Sequence, residues 1–165
     1  MLYFAYGSNM SITRLRARTP SASFETVATL HGHELRFHKV GRDGSAKCDA
    51  FASGDPGHRV VGVVFELDPA EKPALDRVEG LGQGYEEKTV ELTVQAGRIV
   101  TACTYYATHI DPGLRPYHWY KHHVLSGARD HGLPELYLRR IEAVAAVADP
   151  QPERHRREMA IYTDL

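Results

Sequence analysis

Three groups of residues in this sequence are of types that can do chemistry. The segment Tyr6–Asn9 reads Tyr-Gly-Ser-Asn and ends an apolar N-terminal run. Glu79 is followed by the glycine-rich segment 80–84, and His118 and His122 stand four residues apart. A Gly-Ser-Asn turn can bind an anion, a glutamate can exchange a proton, and paired histidines can bind a metal ion.

The Tyr6–Asn9 segment has the composition of an anion-binding turn. Residues 2–7 predict a short strand, and residues 10–19 predict a short amphipathic helix that ends before Pro20. A glycine at the junction lets a ligand approach the backbone, and N–H groups at a helix start attract a carboxylate or phosphate. The alternative, which the local sequence alone favours, is that Ser8 or Asn9 merely caps the helix.

Glu79 stands at the C-terminal end of a second predicted helix. Asp68 and Pro69 predict where this helix begins, and Gly80 predicts where it ends. Because carbonyls at a helix C-terminus disfavour negative charge, a glutamate at this position is suited to hold and release a proton. The alternative is that Glu79 is a solvated surface acid like Glu86.

The histidines and cysteines give weaker signals. His118 and His122 would share one helical face, but no third ligand or HExxH-type pattern accompanies them, so positions at the edge of the core are the better interpretation. Cys48 and Cys103 are too few for a disulfide framework. Cys103 lies in a strand-like run and is interpreted as a core thiol, because no spacing pairs it with a histidine.

The composition limits the class of protein. The chain has 165 residues, 42% of them hydrophobic, and a formal net charge of −1. This balance indicates neither a nucleic-acid nor a membrane partner, and the N-terminus has no signal-peptide pattern, so we expect a cytoplasmic protein. No Walker-type loop, GxGxxG or GxSxG is present. We expect one domain over 1–165, with 149–165 as a C-terminal tail or arm.

The elements that must position these residues form a strand-rich pattern. Three hairpins are predicted, pairing 24–30 with 33–40, 50–53 with 59–67, and 85–95 with 98–107. Residues 41–49 predict a loop, and helices are expected over 117–130 and 134–148. This order predicts an α+β fold, with a curved, mostly antiparallel sheet or small barrel flanked by helices. The apolar run 59–67 is expected to be a central strand.

Four segments in order resemble the γ-glutamylcyclotransferase family: LYFAYGSNM, VVGVVFEL, LDRVEGLGQGYEEKTVEL and YKHHVLSGARDHGLPELYLRRI. The resemblance covers most of the chain, from Leu2 to about Ile141. It implies a mixed, barrel-like sheet flanked by helices and a cofactor-free intramolecular acyl transfer. In that reaction the α-amine of a γ-glutamyl amide attacks the γ-carbonyl, 5-oxoproline forms, and an amine leaves.

The resemblance also implies which residues carry the reaction. Glu79 matches the single glutamate that serves as general acid and base. The γ-glutamyl head would be held by residues matching the family's binding loop and aromatic positions, which are Tyr6, Gly7, Ser8, Asn9, Tyr85, Tyr120 and Tyr137. No metal or other cofactor is implied, and the partner is a small-molecule γ-glutamyl substrate.

Several alternatives stay open at this point. The segment 115–123 is richer in histidine than the family pattern, which leaves the leaving group of the substrate undetermined. A non-catalytic binding module on the same fold and a metal-dependent hydrolase using His118 and His122 are the rival functions. The apolar end of the tail, residues 159–162, would cover either the chain's own body or a second copy in a homodimer.

Overall fold

The computed structural model describes residues 1–163 and has a closed five-stranded barrel at its centre. The strands are β1 (Leu2–Ala5), β2 (Ser23–His31), β3 (His33–Val40), β4 (Ala46–Ala52), β5 (Arg59–Glu66), β6 (Tyr85–Thr93) and β7 (Ile99–Ala107). The barrel order is β1-β5-β2-β6-β7, closed by a parallel contact between Tyr3 and Cys103, and its other pairs are antiparallel. Strands β3 and β4 form a separate two-stranded sheet. The predicted barrel-like, mostly antiparallel α+β fold is confirmed.

Within the described residues 1–163, five α-helices flank the sheets. They are α1 (Ile12–Arg16), α2 (Lys72–Glu79), α3 (His118–Asp130), α4 (Glu135–Glu142) and α5 (Pro152–Ala160). The predicted start and the predicted end of the helical segment that contains Glu79 are both confirmed. The Asp68 carboxylate accepts from the Ala70 N–H at 2.8 Å, and Gly80 ends α2 with a φ of +77°. Helices α1 and α4 are shorter than the predicted 10–19 and 134–148. Helix α1 begins only after a 3-10 turn at Ser8–Met10, and α4 ends at Glu142.

Two of the three predicted hairpins are wrong. Strand β2 does not pair with β3, because its two edges are occupied by β5 and β6, and the chain leaves the barrel at Gly32. Strand β4 pairs with β3 instead of β5. The polar segment 41–45 is the turn of that hairpin, and residues 46–49, predicted as loop, belong to β4. The hairpin of β6 and β7 is confirmed.

Strand β5 is the central strand, as predicted. It lies between β1 and β2, and its residues Val60–Phe65 are all buried. At Gly62 a Cβ atom would stand 2.4 Å from the Ala5 carbonyl oxygen, so only glycine lets β1 pack this closely. The end of β1, where the Tyr6–Asn9 segment begins, is therefore fixed against the middle of β5.

The predicted C-terminal tail contains a helix. Helix α5 contacts the body through Glu158, whose carboxylate accepts from Arg14 at 2.5 Å and lies 3.1 Å from His123 Nε2. Tyr162, beyond the helix, bonds His123 Nδ1 at 2.6 Å. Residues 152–163 are thereby held against α1 and α3. Within residues 1–163 no helix is long and apolar enough to span a membrane.

Candidate active site

A cavity lies at the end of β1, between the 3-10 turn and the C-terminus of α2. It holds about 300 Å³ of empty space, part of it open to solvent. The residues that line it are Tyr3, Tyr6, Gly7, Ser8, Asn9, Cys48, Glu79, Tyr85, Tyr105 and Tyr120. Asn9 and Glu79, which are 70 positions apart in the sequence, thus meet at one cavity. Seven of the eight predicted site residues line it.

The Ser8–Met10 turn gives the cavity a wall of backbone. The Met10 N–H donates to the Gly7 carbonyl at 3.0 Å, which closes the turn. Since the first N–H groups of a helical turn have no acceptor within it, those of Ser8 and Asn9 are available to an anion. A Cβ at Gly7 would stand 3.0 Å from the Cys48 Cβ, so glycine is needed for this packing.

The alternative that Ser8 or Asn9 merely caps a helix is wrong. The cap positions of the 3-10 turn and of α1 are held by Gly7 and Ser11, and neither makes a side-chain cap hydrogen bond. Asn9 is buried, and its side chain is directed to Glu79 instead. The polar side chains of this segment therefore lie at the cavity and do not cap the helix.

The carboxylate of Glu79 is held by the Asn9 side chain. Asn9 Nδ2 donates to Glu79 Oε1 at 2.7 Å and to the Tyr3 hydroxyl at 3.1 Å. Arg18 Nη1 donates to Asn9 Oδ1 at 2.6 Å and lies 3.9 Å from Glu79 Oε1. Only 17% of the Glu79 side chain is exposed, so the alternative of a solvated surface acid is wrong. The Glu79 carboxylate is partly buried and oriented, with Oε2 free of this network.

The tyrosines form an uncharged, hydrogen-bonded wall. Tyr6 donates to the Tyr105 carbonyl oxygen at 2.6 Å, and Tyr85 donates to the Cys48 carbonyl oxygen. The Tyr120 hydroxyl accepts from the Cys48 N–H at 2.9 Å. Burial raises the pKa of Tyr6, Tyr85 and Tyr120 well above the usual value. These hydroxyls therefore stay protonated at neutral pH.

Cys48 contributes a neutral thiol to the cavity. The residue is buried, and burial raises the pKa of its thiol to about 12, with the Tyr120 hydroxyl only partly opposing the change. Since the thiolate is the nucleophilic form, this thiol is not an activated nucleophile. Cys103 lies on β7 but is only half-buried, against the edge of the core and not within it as expected, and burial raises the pKa of its thiol to about 11.

Tyr137 does not line this cavity. It is buried on α4, on the side that faces Val61 and Arg140, and its hydroxyl has no hydrogen-bond partner in residues 1–163. Burial raises its pKa above the usual value. A direct contact between Tyr137 and a ligand in the cavity stays a prediction from the resemblance.

The histidines of α3 are not gathered around a common point. His118 is exposed, whereas His122 is half-buried and packs edge-on against the Tyr162 ring with 4.9 Å between ring centroids. His123 is buried beside Arg14 and Glu158. Within the part of the chain that the structure describes, no group of three or more His, Cys, Asp and Glu residues could hold a metal ion.

Some cavity residues were missed by the sequence analysis. Tyr3, Tyr105 and Cys48 line it, and Arg18 supports it through Asn9. Tyr3 alone had a local signal, since it lies with Tyr6 in the strand predicted over residues 2–7. Cys48 reaches the cavity through the β3–β4 pairing and Tyr105 through the barrel closure, which no local pattern predicts.

Comparison with known proteins agrees with this fold. Residues 59–141 match a model of the AIG2-like family. Gamma-glutamylcyclotransferase from Homo sapiens is 33% identical over 147 residues, which cover 87% of this chain and 78% of that protein, and the protein of the same name from Bos taurus gives the same figures.

Solved structures extend the comparison. A structure of a gamma-glutamyl cyclotransferase superposes with a TM-score of 0.85 at 28% identity, covering 95% of this chain and 98% of that one. A crystal structure of an uncharacterized protein from Homo sapiens superposes with a TM-score of 0.81 at 32% identity, covering 88% of each chain. The chain therefore belongs to the AIG2-like, gamma-glutamylcyclotransferase family.

Proposed function

We propose that this protein converts a γ-glutamyl amide to 5-oxoproline and a free amine, with Glu79 as general acid and base. The observation that carries the proposal is the Glu79 carboxylate, which is held at the cavity by Asn9 of the N-terminal turn at 2.7 Å. The relatives named gamma-glutamylcyclotransferase support the same reaction class.

The polar head of the substrate fits the chemistry of the cavity. A γ-glutamyl head carries an α-carboxylate and an α-ammonium. The backbone N–H groups of Ser8 and Asn9 suit the carboxylate, and the Glu79 carboxylate suits the ammonium. The apolar stem of the head would pack on the rings of Tyr6 and Tyr85, which line the same cavity.

The reaction moves two protons from the α-nitrogen to the departing nitrogen. Glu79 takes the first proton from the α-ammonium, and the freed amine attacks the γ-carbonyl carbon to close a five-membered ring. The protonated Glu79 gives this proton to the amide nitrogen as the bond between that nitrogen and the γ-carbon breaks. The ring nitrogen then loses its second proton, which the Glu79 carboxylate passes to the departed amine, so that 5-oxoproline and an ammonium are formed and Glu79 is again ionised. No group is transferred to the protein.

The wall of the cavity supplies a donor for the developing oxyanion. The Tyr120 hydroxyl accepts from the Cys48 N–H at 2.9 Å, and its own hydrogen faces the Cys48 thiol, a weak acceptor that an oxyanion would displace. The hydroxyl also lies beside Gly7, 3.4 Å from where a Cβ would be. A neutral donor fixed before the reaction stabilises charge at low reorganisation cost. Because ring closure is intramolecular, orientation supplies much of the remaining acceleration.

The proposal is tested by measuring 5-oxoproline release from γ-glutamyl amino acids, γ-glutamyl amines and glutathione. We expect wild type to release product from at least one compound. The Glu79→Gln variant should lose on the order of 100-fold to 10,000-fold in kcat. The glutamine side chain can still accept the hydrogen bond from Asn9, but it cannot carry the proton. Glu86→Gln, at an exposed position on β6, is the matched control and should keep wild-type activity.

The outcomes separate the rival functions. If wild type binds γ-glutamyl compounds and releases no 5-oxoproline, the chain is a binding module on the same fold. Equal turnover by wild type and Glu79→Gln would show that another group moves the proton. A turnover that requires added metal and stops with a chelator would favour the hydrolase that uses His118 and His122.

A further inference from the structure

Arg18 is a largely buried cation whose side chain contacts the Asn9–Glu79 pair. It follows helix α1, and only 17% of its side chain is exposed. Its Nη1 donates to Asn9 Oδ1 at 2.6 Å and lies 3.9 Å from Glu79 Oε1. The guanidinium is therefore part of the candidate active site, although Arg18 does not line the cavity itself.

The Arg18 guanidinium determines which end of the Asn9 amide faces it. A guanidinium can only donate hydrogen bonds, so the atom that it contacts must be the amide oxygen Oδ1. The amide nitrogen then points the other way, where it donates to Glu79 Oε1 at 2.7 Å and to the Tyr3 hydroxyl at 3.1 Å. In the reverse orientation two donors would face each other, and Asn9 is only 3% exposed, so water could not relieve the mismatch.

The orientation of the Asn9 amide decides which oxygen of Glu79 carries a proton. Oε1 receives a hydrogen from Asn9 and lies beside the Arg18 charge, so a proton is disfavoured there and goes to Oε2. A reversed amide would present Oδ1 to Glu79, and a protonated Oε1 would then donate to it. The proton would be held by the protein and withheld from the substrate.

Arg18 matters most after Glu79 has taken up a proton. While Glu79 is ionised, its own charge attracts the amide nitrogen of Asn9, so Glu79 and Arg18 favour the same orientation. A protonated carboxyl group can donate as well as accept, and the Tyr3 hydroxyl can also do either. At this stage the orientation of the amide therefore depends on Arg18 alone.

We propose that Arg18 is a positioning residue that places the transferable proton of Glu79 on Oε2 by fixing the orientation of the Asn9 amide. The inference rests on the proposed function, in which Glu79 gives this proton to the departing nitrogen. Arg18 acts through Asn9 and at the stage of proton transfer. Its loss should therefore lower kcat and leave KM largely unchanged.

Substitutions that differ in hydrogen bonding but little in length test the role of Arg18. A lysine can only donate, a glutamine can donate or accept, and a methionine side chain does not donate. We expect Arg18→Met and Arg18→Gln to lower kcat for 5-oxoproline release by on the order of 10-fold to 100-fold, as for the loss of a charge-assisted hydrogen bond. Their KM should stay within about 3-fold of wild type. Arg18→Lys should keep kcat within about 5-fold of wild type, because it still donates to Oδ1.

A double-mutant cycle tests whether Arg18 acts through Asn9. Without the Asn9 amide there is no orientation to fix. The Arg18→Met change should therefore alter kcat by less than about 2-fold in an Asn9→Ala background. A cation that acted on Glu79 directly would lower kcat in this background as much as in wild type.

An arginine on the helix that carries Glu79 serves as the matched control. Arg77 is exposed on α2 and does not line the cavity. Arg77→Met should keep the wild-type kcat and KM. Circular dichroism melting checks that each variant is folded, and the comparison of Arg18→Lys with Arg18→Gln tests the proposal if Arg18→Met does not fold.

The outcomes distinguish this proposal from the proposed function. Wild-type kcat in a folded Arg18→Met variant, or equal kcat in the lysine and glutamine variants, would overturn the role of Arg18 and leave the reaction class intact. A full loss of kcat on adding Arg18→Met to Asn9→Ala would overturn it as well. No release from any γ-glutamyl compound by wild type would overturn the proposed function, and the role of Arg18 would fall with it.

Discussion

Asn9 is the residue on which the candidate site depends most. Both hydrogens of its side-chain amide are used within the protein, one by Glu79 at 2.7 Å and one by Tyr3 at 3.1 Å. Its amide oxygen accepts from Arg18 at 2.6 Å. The Asn9 side chain is therefore a positioning group for Glu79, and its backbone N–H is the part available to a substrate.

We predict that Asn9→Ala lowers kcat by on the order of 100-fold and changes KM much less. Loss of the amide lets the Glu79 carboxylate move, and a displacement of about 1 Å can cost that factor. Stopped assays of 5-oxoproline release, carried out up to saturating concentrations of a γ-glutamyl substrate, measure kcat and KM. A rise in KM at unchanged kcat would show instead that the side chain binds the substrate directly.

Residue types offered the two central features of the site only as candidates, and the resemblance to a known family favoured them. Gly-Ser-Asn after an apolar strand is suited to bind an anion, although the local sequence alone favoured a helix cap, and a glutamate at a helix end is suited to carry a proton. The Asn9–Glu79 hydrogen bond was not foreseeable, because it joins residues 70 positions apart.

At the scale of the elements, the N-terminal turn is held in place by α3. A Cβ at Gly127 of α3 would stand 2.3 Å from the Met10 carbonyl carbon and from the Ser11 nitrogen. These atoms are backbone and cannot rotate away. Glycine at this position therefore lets α3 pack directly on the turn that carries Ser8 and Asn9.

We predict that Gly127→Ala destabilises the protein by about 1–3 kcal/mol and lowers activity, because the added methyl group must displace the turn. Urea unfolding and 5-oxoproline release measure the two effects. Gly57→Ala is the control, since its Cβ would meet only the Asp55 side chain in an exposed turn, at 3.2 Å. Unchanged stability of Gly127→Ala would mean that α3 does not fix the turn.

The strand pairings show where local patterns stop being informative. The β6–β7 hairpin was predicted correctly because both strands alternate and a short turn joins them. The chain also passes directly from β2 to β3, but Gly32, with a φ of +70°, redirects it from the barrel into the second sheet. Strand β2 does not pair with β3 because β5 and β6 occupy both of its edges.

At the scale of the whole molecule, the C-terminal segment is joined to the body through a buried histidine. His123 is fully buried, and burial lowers its pKa to about 4, against the opposing hydrogen bond to Glu158. Burial would raise the pKa of Glu158, but the His123 hydrogen bond and the Arg14 charge outweigh it and lower the pKa to about 2. Both groups therefore take up protons more readily in the unfolded chain.

We predict that acidification weakens the fold through His123. Its pKa is near 6.5 in the unfolded chain and about 4 in the folded one, so the unfolded state binds more protons between these values and stability falls as pH falls. From pH 7 to pH 5 the contribution is about 2 kcal/mol. Urea unfolding of wild type and His123→Gln at both pH values measures it.

The difference between wild type and His123→Gln in the pH dependence of stability tests this prediction. The His123→Gln variant should lose about 2 kcal/mol less than wild type between pH 7 and pH 5, because its side chain does not titrate. Other histidines contribute equally in both proteins and cancel in the difference. Parallel pH dependence of the two would mean that His123 is not kept neutral by its burial.

The overall architecture was more predictable from the sequence than the strand pairings or the contacts within the candidate site. The order of strands and helices predicted an α+β fold with a barrel-like sheet, and the four segments resembling a known family agreed with it. The helix α5 was not predicted, because its sequence is mostly charged and only one face contacts the body. Its position depends on Arg14 and His123, which are distant in sequence from Glu158.

The most direct test of the central claim measures binding and turnover of one γ-glutamyl substrate by wild type and Glu79→Gln. Isothermal titration calorimetry gives the affinity, and 5-oxoproline release gives kcat. The account predicts that Glu79→Gln binds within about 10-fold of wild type and loses at least about 100-fold in kcat, since the proton carrier is lost while the head group is still held. Full turnover by a folded Glu79→Gln variant would contradict the role of Glu79.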